Sequence, residues 1–556
     1  MFGAGGGTSS YKEVEETDVV FLWGSNARDA HPIFFHHVLK AVRAGATLYV
    51  MDPRRTSTAA WADAWLGLRV GTDIALANAM ARVIIHEGLA NEPFIRRATV
   101  GFDTYRACVE KYTLQLAEDT TGVPGDVIRN AALTYARAER GMICWTLGIT
   151  EHHNAVHNVF ALINLALLTG KVGRYACGLN PLRGQNNVQG GGDMGAIPNR
   201  LAGFQDNTEP EIREKFERAW GVKIQPRHGW NLTQMFHAMG QGELTGLYVI
   251  GENPAQSDAD LHRVERLLEN LDHLVVQDIF LTKTAQLADV VLPASASWCE
   301  AEGTVTNSER RVQRVRKAIE PPGDARDDIW IITQIARRLG HDIGNPSAED
   351  AWNEMRSLAP MFAGMSYARL EACGGLQWPC DDDDHPGQQF LHARLWSDEP
   401  GTLAPFHAVE DDPPVEQTDA EFPFVLTTGR RLESYNTGVQ SGGYESPLHH
   451  GETVDIAPED ALELGVASGD LVRVTSRRGW VEAPCRVDTA LKPGLVFMTL
   501  HFPDEVATNL LTIDAFDPLS GTAEFKACAV RVEPARMQRP QLRPTTAQRA
   551  IPVAGD

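Results

Sequence analysis

The stretch Asp18-Val-Val-Phe-Leu-Trp-Gly24, followed by an amphipathic segment and then by Ala46-Thr-Leu-Tyr-Val-Met-Asp52, decides the fold. Each apolar run has the length of a strand and ends on a turn residue, and the segment between them has the spacing of a helix. Strands joined by a crossover of this length run parallel, and ligands bind at the loops after their carboxyl ends. Those loops are Gly24-Ser-Asn-Ala-Arg-Asp29 and Asp52-Pro-Arg-Arg55. Working outward, Ala64 to Val70 reads as a third strand, followed by Gly71-Thr-Asp73 and a helix with Ile74, Leu76, Met80 and Ile84 on its apolar face. Gly141-Met-Ile-Cys-Trp-Thr-Leu-Gly148 again delivers a glycine to a strand tip. Leu247-Tyr-Val-Ile-Gly251 and Leu274-Val-Val-Gln-Asp278 repeat the pattern, the latter followed by Ala288-Asp-Val-Val-Leu-Pro293. The fold class is therefore α/β, with two Rossmann-like parallel-sheet layers, one before and one after about residue 185.

Beyond residue 325 the text is helical and then irregular, and Asp381 to Asp384 read as a solvated acidic loop. Residues 401–421, rich in Pro, Asp and Glu, look like a linker. After them the period shortens to β. Phe424-Val-Leu-Thr, Thr453-Val-Asp-Ile, Asp470-Leu-Val-Arg-Val-Thr, Val481-Glu-Ala-Pro-Cys-Arg-Val and Gly494-Leu-Val-Phe-Met-Thr are separated by turn residues, as a small barrel requires. The expected partition is an α/β domain at 1–185, a second at 186–297, a helical and irregular region at 298–400 belonging to a discontinuous domain, the linker, a barrel at 422–536 and a tail at 537–556.

With 556 residues, 43% hydrophobic and 22% charged, the composition is that of a multidomain globular protein. A net charge of -22 opposes nucleic-acid binding. Apolar stretches such as Ala161 to Thr169 are too short to cross a bilayer, which gives a cytoplasmic expectation. The eight cysteines are scattered, none at the two-residue gap of zinc or iron–sulfur sites, and read mostly as buried free thiols.

Strand-tip glycines beside Asn, Asp and Arg suit long phosphorylated ligands, because the missing side chain lets backbone N–H groups approach phosphate oxygens. No Gly-x-Gly-x-x-Gly stands in the loop directly after the Val20 strand, so simple NAD binding is disfavoured. The most unusual segment is Gly178-Leu-Asn-Pro-Leu-Arg-Gly-Gln-Asn-Asn-Val-Gln-Gly-Gly-Gly-Asp-Met-Gly195, with six glycines and five Asn or Gln. It has too little apolar surface to form a core, and is expected to lay backbone and amides against a polar ligand. Its one cation, Arg183, suits an anion or carboxylate; a phosphate clamp is the alternative. His153 and His157 stand four apart in what reads as a helix, the zinc-helix spacing, but no Glu follows His153 directly, and a polar helix entry is preferred. His36 and His37 read as packing or surface residues of the first crossover helix.

Gly148-Ile-Thr-Glu-His-His-Asn-Ala-Val-His-Asn158, Leu165-Ala-Leu-Leu-Thr-Gly-Lys-Val-Gly173 and Asn180-Pro-Leu-Arg-Gly-Gln-Asn-Asn-Val-Gln-Gly190 closely resemble the formate dehydrogenase branch of the molybdopterin oxidoreductases. Gly251-Glu-Asn-Pro254, Gln277-Asp-Ile-Phe-Leu-Thr-Lys-Thr284, Ala288 to Pro293, Glu302-Gly-Thr-Val-Thr-Asn307 and Phe525-Lys-Ala-Cys-Ala-Val-Arg-Val532 follow in family order. The resemblance implies a bis(molybdopterin guanine dinucleotide) cofactor carrying molybdenum or tungsten, and formate as substrate. It assigns the cofactor to Gly24, Ser25, Asn26, Asp29, Asp52, Arg54, Gly71, Asp73, Gly148, Gln185, Gly251, Glu252, Gln277, Asp278, Thr282, Asn307, Arg430 and Lys526. Arg183 is the implied catalytic residue, holding formate beside the metal.

The resemblance also implies a metal-ligating cysteine or selenocysteine, followed by histidine, upstream of Asp18, and iron–sulfur clusters further upstream; residues 1 to 17 contain no cysteine and no histidine. The expectation is the carboxy-terminal portion of a catalytic subunit, with a natural split or a noncatalytic cofactor-binding relative as alternatives, and another oxidoreductase such as a nitrate reductase as a rival activity. Flavin and iron–sulfur NAD-reducing subunits are the implied partners, together with the upstream iron–sulfur region, and the chain alone should expose apolar surface that region covers. At Arg431-Leu-Glu-Ser-Tyr-Asn-Thr-Gly438 many relatives read His-Tyr-His-Thr-Gly, and Ser434 and Asn436 replace both histidines.

Overall fold

The computed structural model describes residues 5–432, 434, 436–437 and 451–535. Glu433, Tyr435 and Gly438 of the departing motif, and the tail at 537–556, lie outside the described residues.

The Val19–Trp23 strand is buried along its whole length and pairs in parallel with Thr47–Met51 on one side and Gly141–Trp145 on the other. Its pleat divides two cores: Val19, Phe21 and Trp23 enter one, Val20 and Leu22 the other. A strand covered on both faces is why the sequence reads as a continuous apolar run rather than an alternation. The finished sheet has five strands, in the order Ala64–Leu66, Thr47–Met51, Val19–Trp23, Gly141–Trp145, Gly178–Pro181. Strand order reverses between Val19–Trp23 and Gly141–Trp145, so the crevice where such sheets bind ligands opens at Gly24 and Gly148. The Asp73–His86 helix is buried on nearly every side, matching its Ala-rich apolar text.

Three sequence expectations are corrected here. The third strand ends at Leu66 rather than Val70, because the chain turns there with Leu68 N–H on the Leu66 carbonyl at 3.0 Å. The Gly178–Gly195 segment does enter a core: Gly178–Pro181 is the sheet's fifth strand, and Val188–Asp193 is a short helix with Gln189 and Asp193 buried. Residues 401–421 are not a free linker. Ala404–Pro405 pairs in parallel with Thr99–Val100, the Asn78 amide donates to the Val409 carbonyl at 2.8 Å, and that of Asn164 to the His407 carbonyl at 2.6 Å. This strap continues over Gly71, where a Cβ would meet Pro414 Cγ at 2.6 Å.

The second parallel sheet has three strands, Gly246–Ile250, His273–Asp278 and Val290–Pro293, with His273–Asp278 in the centre. Its core of Phe236, Val249, Val264, Leu268 and Val276 lies to one side. Tyr248, Ile250, Val290 and Val291 remain exposed, as do Phe280 and Leu281 beyond the central strand, an apolar row of the kind expected from the sequence. The carboxy-terminal unit is a closed barrel of six strands, Phe424–Gly429, Leu495–Thr499, Val454–Ile456, Trp480–Val487, Leu471–Thr475 and Cys528–Pro534 in spatial order. All eight cysteines are free, and five are buried.

At the crevice the two strand tips touch backbone to backbone. Gly24 has φ +55, a Cβ on it would lie 2.7 Å from the Gly148 carbonyl carbon, and a Cβ on Gly148 would lie 2.6 Å from Gly24 Cα. Gly148 N–H donates to the Gly24 carbonyl at 3.2 Å, and the Thr146 hydroxyl donates to the same oxygen at 2.6 Å. Gly148→Ala is expected to destabilise the chain by about 3 kcal/mol, since the obstruction is backbone and cannot rotate away. Urea unfolding checks it, and an unchanged midpoint would contradict the contact.

Candidate active site

Around the crevice, the groups assigned from sequence fall into two kinds. Some are consumed by local structure. Asn26 donates to Asp29 at 2.8 Å, and both accept from Ser57, at 3.0 and 2.7 Å, while Thr58 also donates to Asn26. They lock the loop after the first strand. Thr282 caps the Lys283–Gln286 turn through Ala285 N–H, and Asn307 accepts from the N–H groups of Glu309 and Arg311 to close a hairpin turn. Gln277 is fully buried between Tyr248 and Asp328. Asp278 accepts from Phe280 N–H at 3.1 Å, and Glu252 accepts from the Ser257 hydroxyl at 2.6 Å.

The others have capacity to spare. Ser25 is buried, with no partner on its hydroxyl among the described residues. Gly251 has φ +63 with open space where a Cβ would stand, so the second sheet also presents a bare tip. Asp52 is buried, its carboxyl pushed upward by burial against the opposing Arg54 and Lys526. Asp73 accepts from Trp23 Nε1 at 2.7 Å, and burial raises its carboxyl to about 6. Arg54 lies over the Phe497 ring, 3.6 Å from its centroid, which brings the loop after the second strand onto the barrel. Lys526 reaches back the other way, pairing with Glu151 at 2.6 Å and donating to the Thr428 carbonyl.

Arg183 comes to the same side. Its backbone N–H donates to the Ser308 hydroxyl at 2.8 Å, its Nη2 donates to the Gly5 carbonyl at 3.2 Å, and its buried Nε has no partner among the described residues. No carboxylate among the described residues lies at ion-pair distance from it, and burial lowers its pKa. Asp193, which acts on it from farther away, has its own carboxyl raised to about 6 by burial. Gln185 and Arg430 both donate to Asn436 Oδ1 at 2.7 Å, so Asn436 joins the loop to the barrel.

Sequence reasoning missed the buried pair that ties the crevice to the barrel. His152 lies 3.3 Å from Glu524, and Glu524 also accepts from the N–H groups of His153, Lys526 and Ala527. Burial opposes the charge on Glu524, but His152 and His153 overcome it and hold the carboxyl down at about 2. His153 also reaches Asp412 of the strap at 3.0 Å. It precedes the Ala155–Thr169 helix, so His153 and His157 do not share a helix as the text suggested. The only sequence signal was two adjacent histidines beside the Gly148 tip; their partners lie far along the chain.

The molybdopterin oxidoreductase family profile matches residues 4–338, and that of the Molydopterin dinucleotide binding domain matches residues 424–529. The chain belongs to the molybdopterin oxidoreductase family. It is 44% identical to F420-dependent formate dehydrogenase 2 subunit alpha of Methanococcus maripaludis, over 96% of this chain and 78% of that one. It is 40% identical to formate dehydrogenase H of Escherichia coli, over 97% of this chain and 76% of that one. Among solved structures, acetylene hydratase from Pelobacter acetylenicus shares the fold at a TM-score of 0.73 and 20% identity, covering 95% of this chain and 79% of the other.

The folded pKa of Glu524 lies below its ordinary 4.5, so the stability it contributes is complete above pH 4.5 and falls away as pH drops toward about 2. Glu524→Gln should cost about 3 kcal/mol at pH 7, because it leaves His152 buried and unpaired, and less at pH 3. Equal losses at both values in denaturant titrations would contradict the pairing.

Proposed function

We propose that this chain is the catalytic part of a formate dehydrogenase, oxidising formate to carbon dioxide, with Arg183 as the residue that holds the substrate carboxylate. The observation that carries it is the buried Arg183 guanidinium, its Nε without a partner and no carboxylate paired to it among the described residues. A buried cation left this way calls for an anion. The identity of 40% and 44% to chains named as formate dehydrogenases supports formate as that anion.

The residues fit a bis(molybdopterin guanine dinucleotide) cofactor. The glycines at 24, 148 and 251 leave no side chain at the strand tips, and the Ser25 hydroxyl, without a partner among the described residues, with buried Asp52 near Arg54 and Lys526, and buried Asp73, are donors and acceptors suited to phosphates, sugars and bases. Gln185, Arg430 and Lys526 would hold it on the loop and barrel side, and Asn26, Asp29, Gly71, Glu252, Gln277, Asp278, Thr282 and Asn307 would shape its cradle. When bound, its molybdenum or tungsten supplies the two-electron acceptor. Formate gives up two electrons and a proton as it becomes carbon dioxide. The fork of Arg183 fixes both carboxylate oxygens, which leaves the C–H pointing away from the guanidinium. The buried surroundings keep water from competing for that fork.

The wider reading includes an iron–sulfur path supplied upstream or by a partner, partner subunits that pass electrons to NAD or to F420, a cytoplasmic location, and the domain partition drawn from sequence. Among the described residues no helix is long and apolar enough to cross a membrane.

Arg183→Lys keeps the charge and loses the fork, and should lower kcat/KM for formate about 100-fold in dye-linked assays of the cofactor-loaded enzyme. Wild-type kcat/KM would overturn the assignment. Lost cofactor content with an unchanged KM would instead make Arg183 a phosphate clamp, and faster turnover of nitrate than formate would reassign the substrate.

A further inference from the structure

Arg183 opens a glycine- and amide-rich stretch that runs to Asn187; Leu182 before it is buried in the core, but no apolar residue follows until Val188. Its peptide is nevertheless gripped from two distant parts of the chain. The Ser308 hydroxyl accepts from Arg183 N–H at 2.8 Å and donates to the Arg183 carbonyl at 3.1 Å, a closed two-bond clamp from the turn between the Gly303–Thr306 and Arg311–Val315 strands. His31 Nε2 lies 3.0 Å from the same carbonyl. A carbonyl only accepts, so Nε2 carries the hydrogen. Burial holds the His31 pKa down at about 4, with Arg430 also opposing its protonation, while the carbonyls of Arg183 and Leu182 act the other way. The ring is therefore neutral through the physiological range, and adds a donor without adding charge beside the anion site.

We propose that His31 and Ser308 are positioning residues for Arg183: together they fix its peptide, and so the place at which the guanidinium meets a small anion. The inference rests on the anion-site reading of Arg183, but not on formate being the anion. His31 stands two residues past Asp29, just beyond the loop after the first strand, and Ser308 directly follows Asn307, so the first sheet's ligand loop and the hairpin aim the same arginine. Orientation matters here because a fork that is turned loses one of its two bonds to the anion.

The test uses cofactor-loaded protein and calorimetric titration with formate, nitrate and azide, read alongside kcat and KM for formate. His31→Ala is expected to weaken binding of whichever anion the wild type takes by about tenfold, with cofactor content and melting transition unchanged. His31→Gln, whose Nε2 can reach the position of the imidazole Nε2, should restore affinity to within about twofold of wild type. Ser308→Ala should weaken the same anion and Ser308→Thr should restore it, a pair that keeps the proposal falsifiable if His31→Ala fails to fold. The effect on formate should fall mainly on KM. Wild-type affinity in folded His31→Ala and Ser308→Ala would overturn the positioning role, as would equal losses in His31→Ala and His31→Gln. Binding of nitrate but not formate would overturn the formate reading while leaving this test intact, and a wild type that binds no small anion would overturn both.

Discussion

The rest of the site depends on the close approach of Gly24 and Gly148, the tips of the two strands at which the first sheet reverses its order. One carbonyl, that of Gly24, accepts from both Gly148 N–H and the Thr146 hydroxyl, which ties the tips together where no side chain could intervene. Because both positions lack a Cβ, the crevice above them is walled by backbone, and the loop carrying Ser25, Asn26 and Asp29 starts from a fixed point. The Asn26, Asp29, Ser57 and Thr58 network then joins that loop to the one after the second strand.

Charge completes what backbone begins. The barrel is held against the crevice by groups that would be costly to bury alone: His152 with Glu524, Lys526 with Glu151, and Arg54 over Phe497. The strap adds Asp412 to the same network through His153 and lays Pro414 on Gly71. Arg183 stands apart from these pairs. It is held by carbonyl and hydroxyl groups and by no carboxylate among the described residues, and its guanidinium thereby keeps its charge available to a ligand.

Much of the scaffold was legible because period, length and a terminal glycine together distinguish a buried parallel strand, as at Val19–Trp23 and Gly141–Trp145. The barrel was legible from short strands spaced by turns. What could not be read were contacts between distant residues: nothing in Glu524 announces His152, and nothing in Pro414 announces Gly71. The acidic, proline-rich text of 401–421 resembled a linker because its few apolar residues follow no helix or strand period, yet Ala404, Phe406 and Val409 enter the first sheet's core and the carbonyls of His407 and Val409 accept from Asn164 and Asn78. Composition also misled at Gly178–Pro181, where edge pairing to Gly141–Trp145 supplies the order that side chains do not. Of the assigned site residues, Asn26, Thr282 and Asn307 spend their side chains on turns, whereas Asn436, which looked like a lost contact, joins Gln185 to Arg430.

The most direct test of the central claim is a crystal structure of the cofactor-loaded protein soaked with azide or formate. The account predicts the anion on the guanidinium of Arg183, with Ser308 and His31 still on its peptide and the pterin dinucleotides reaching the glycine tips at 24, 148 and 251. An anion bound elsewhere, with Arg183 engaged by a cofactor phosphate, would contradict it.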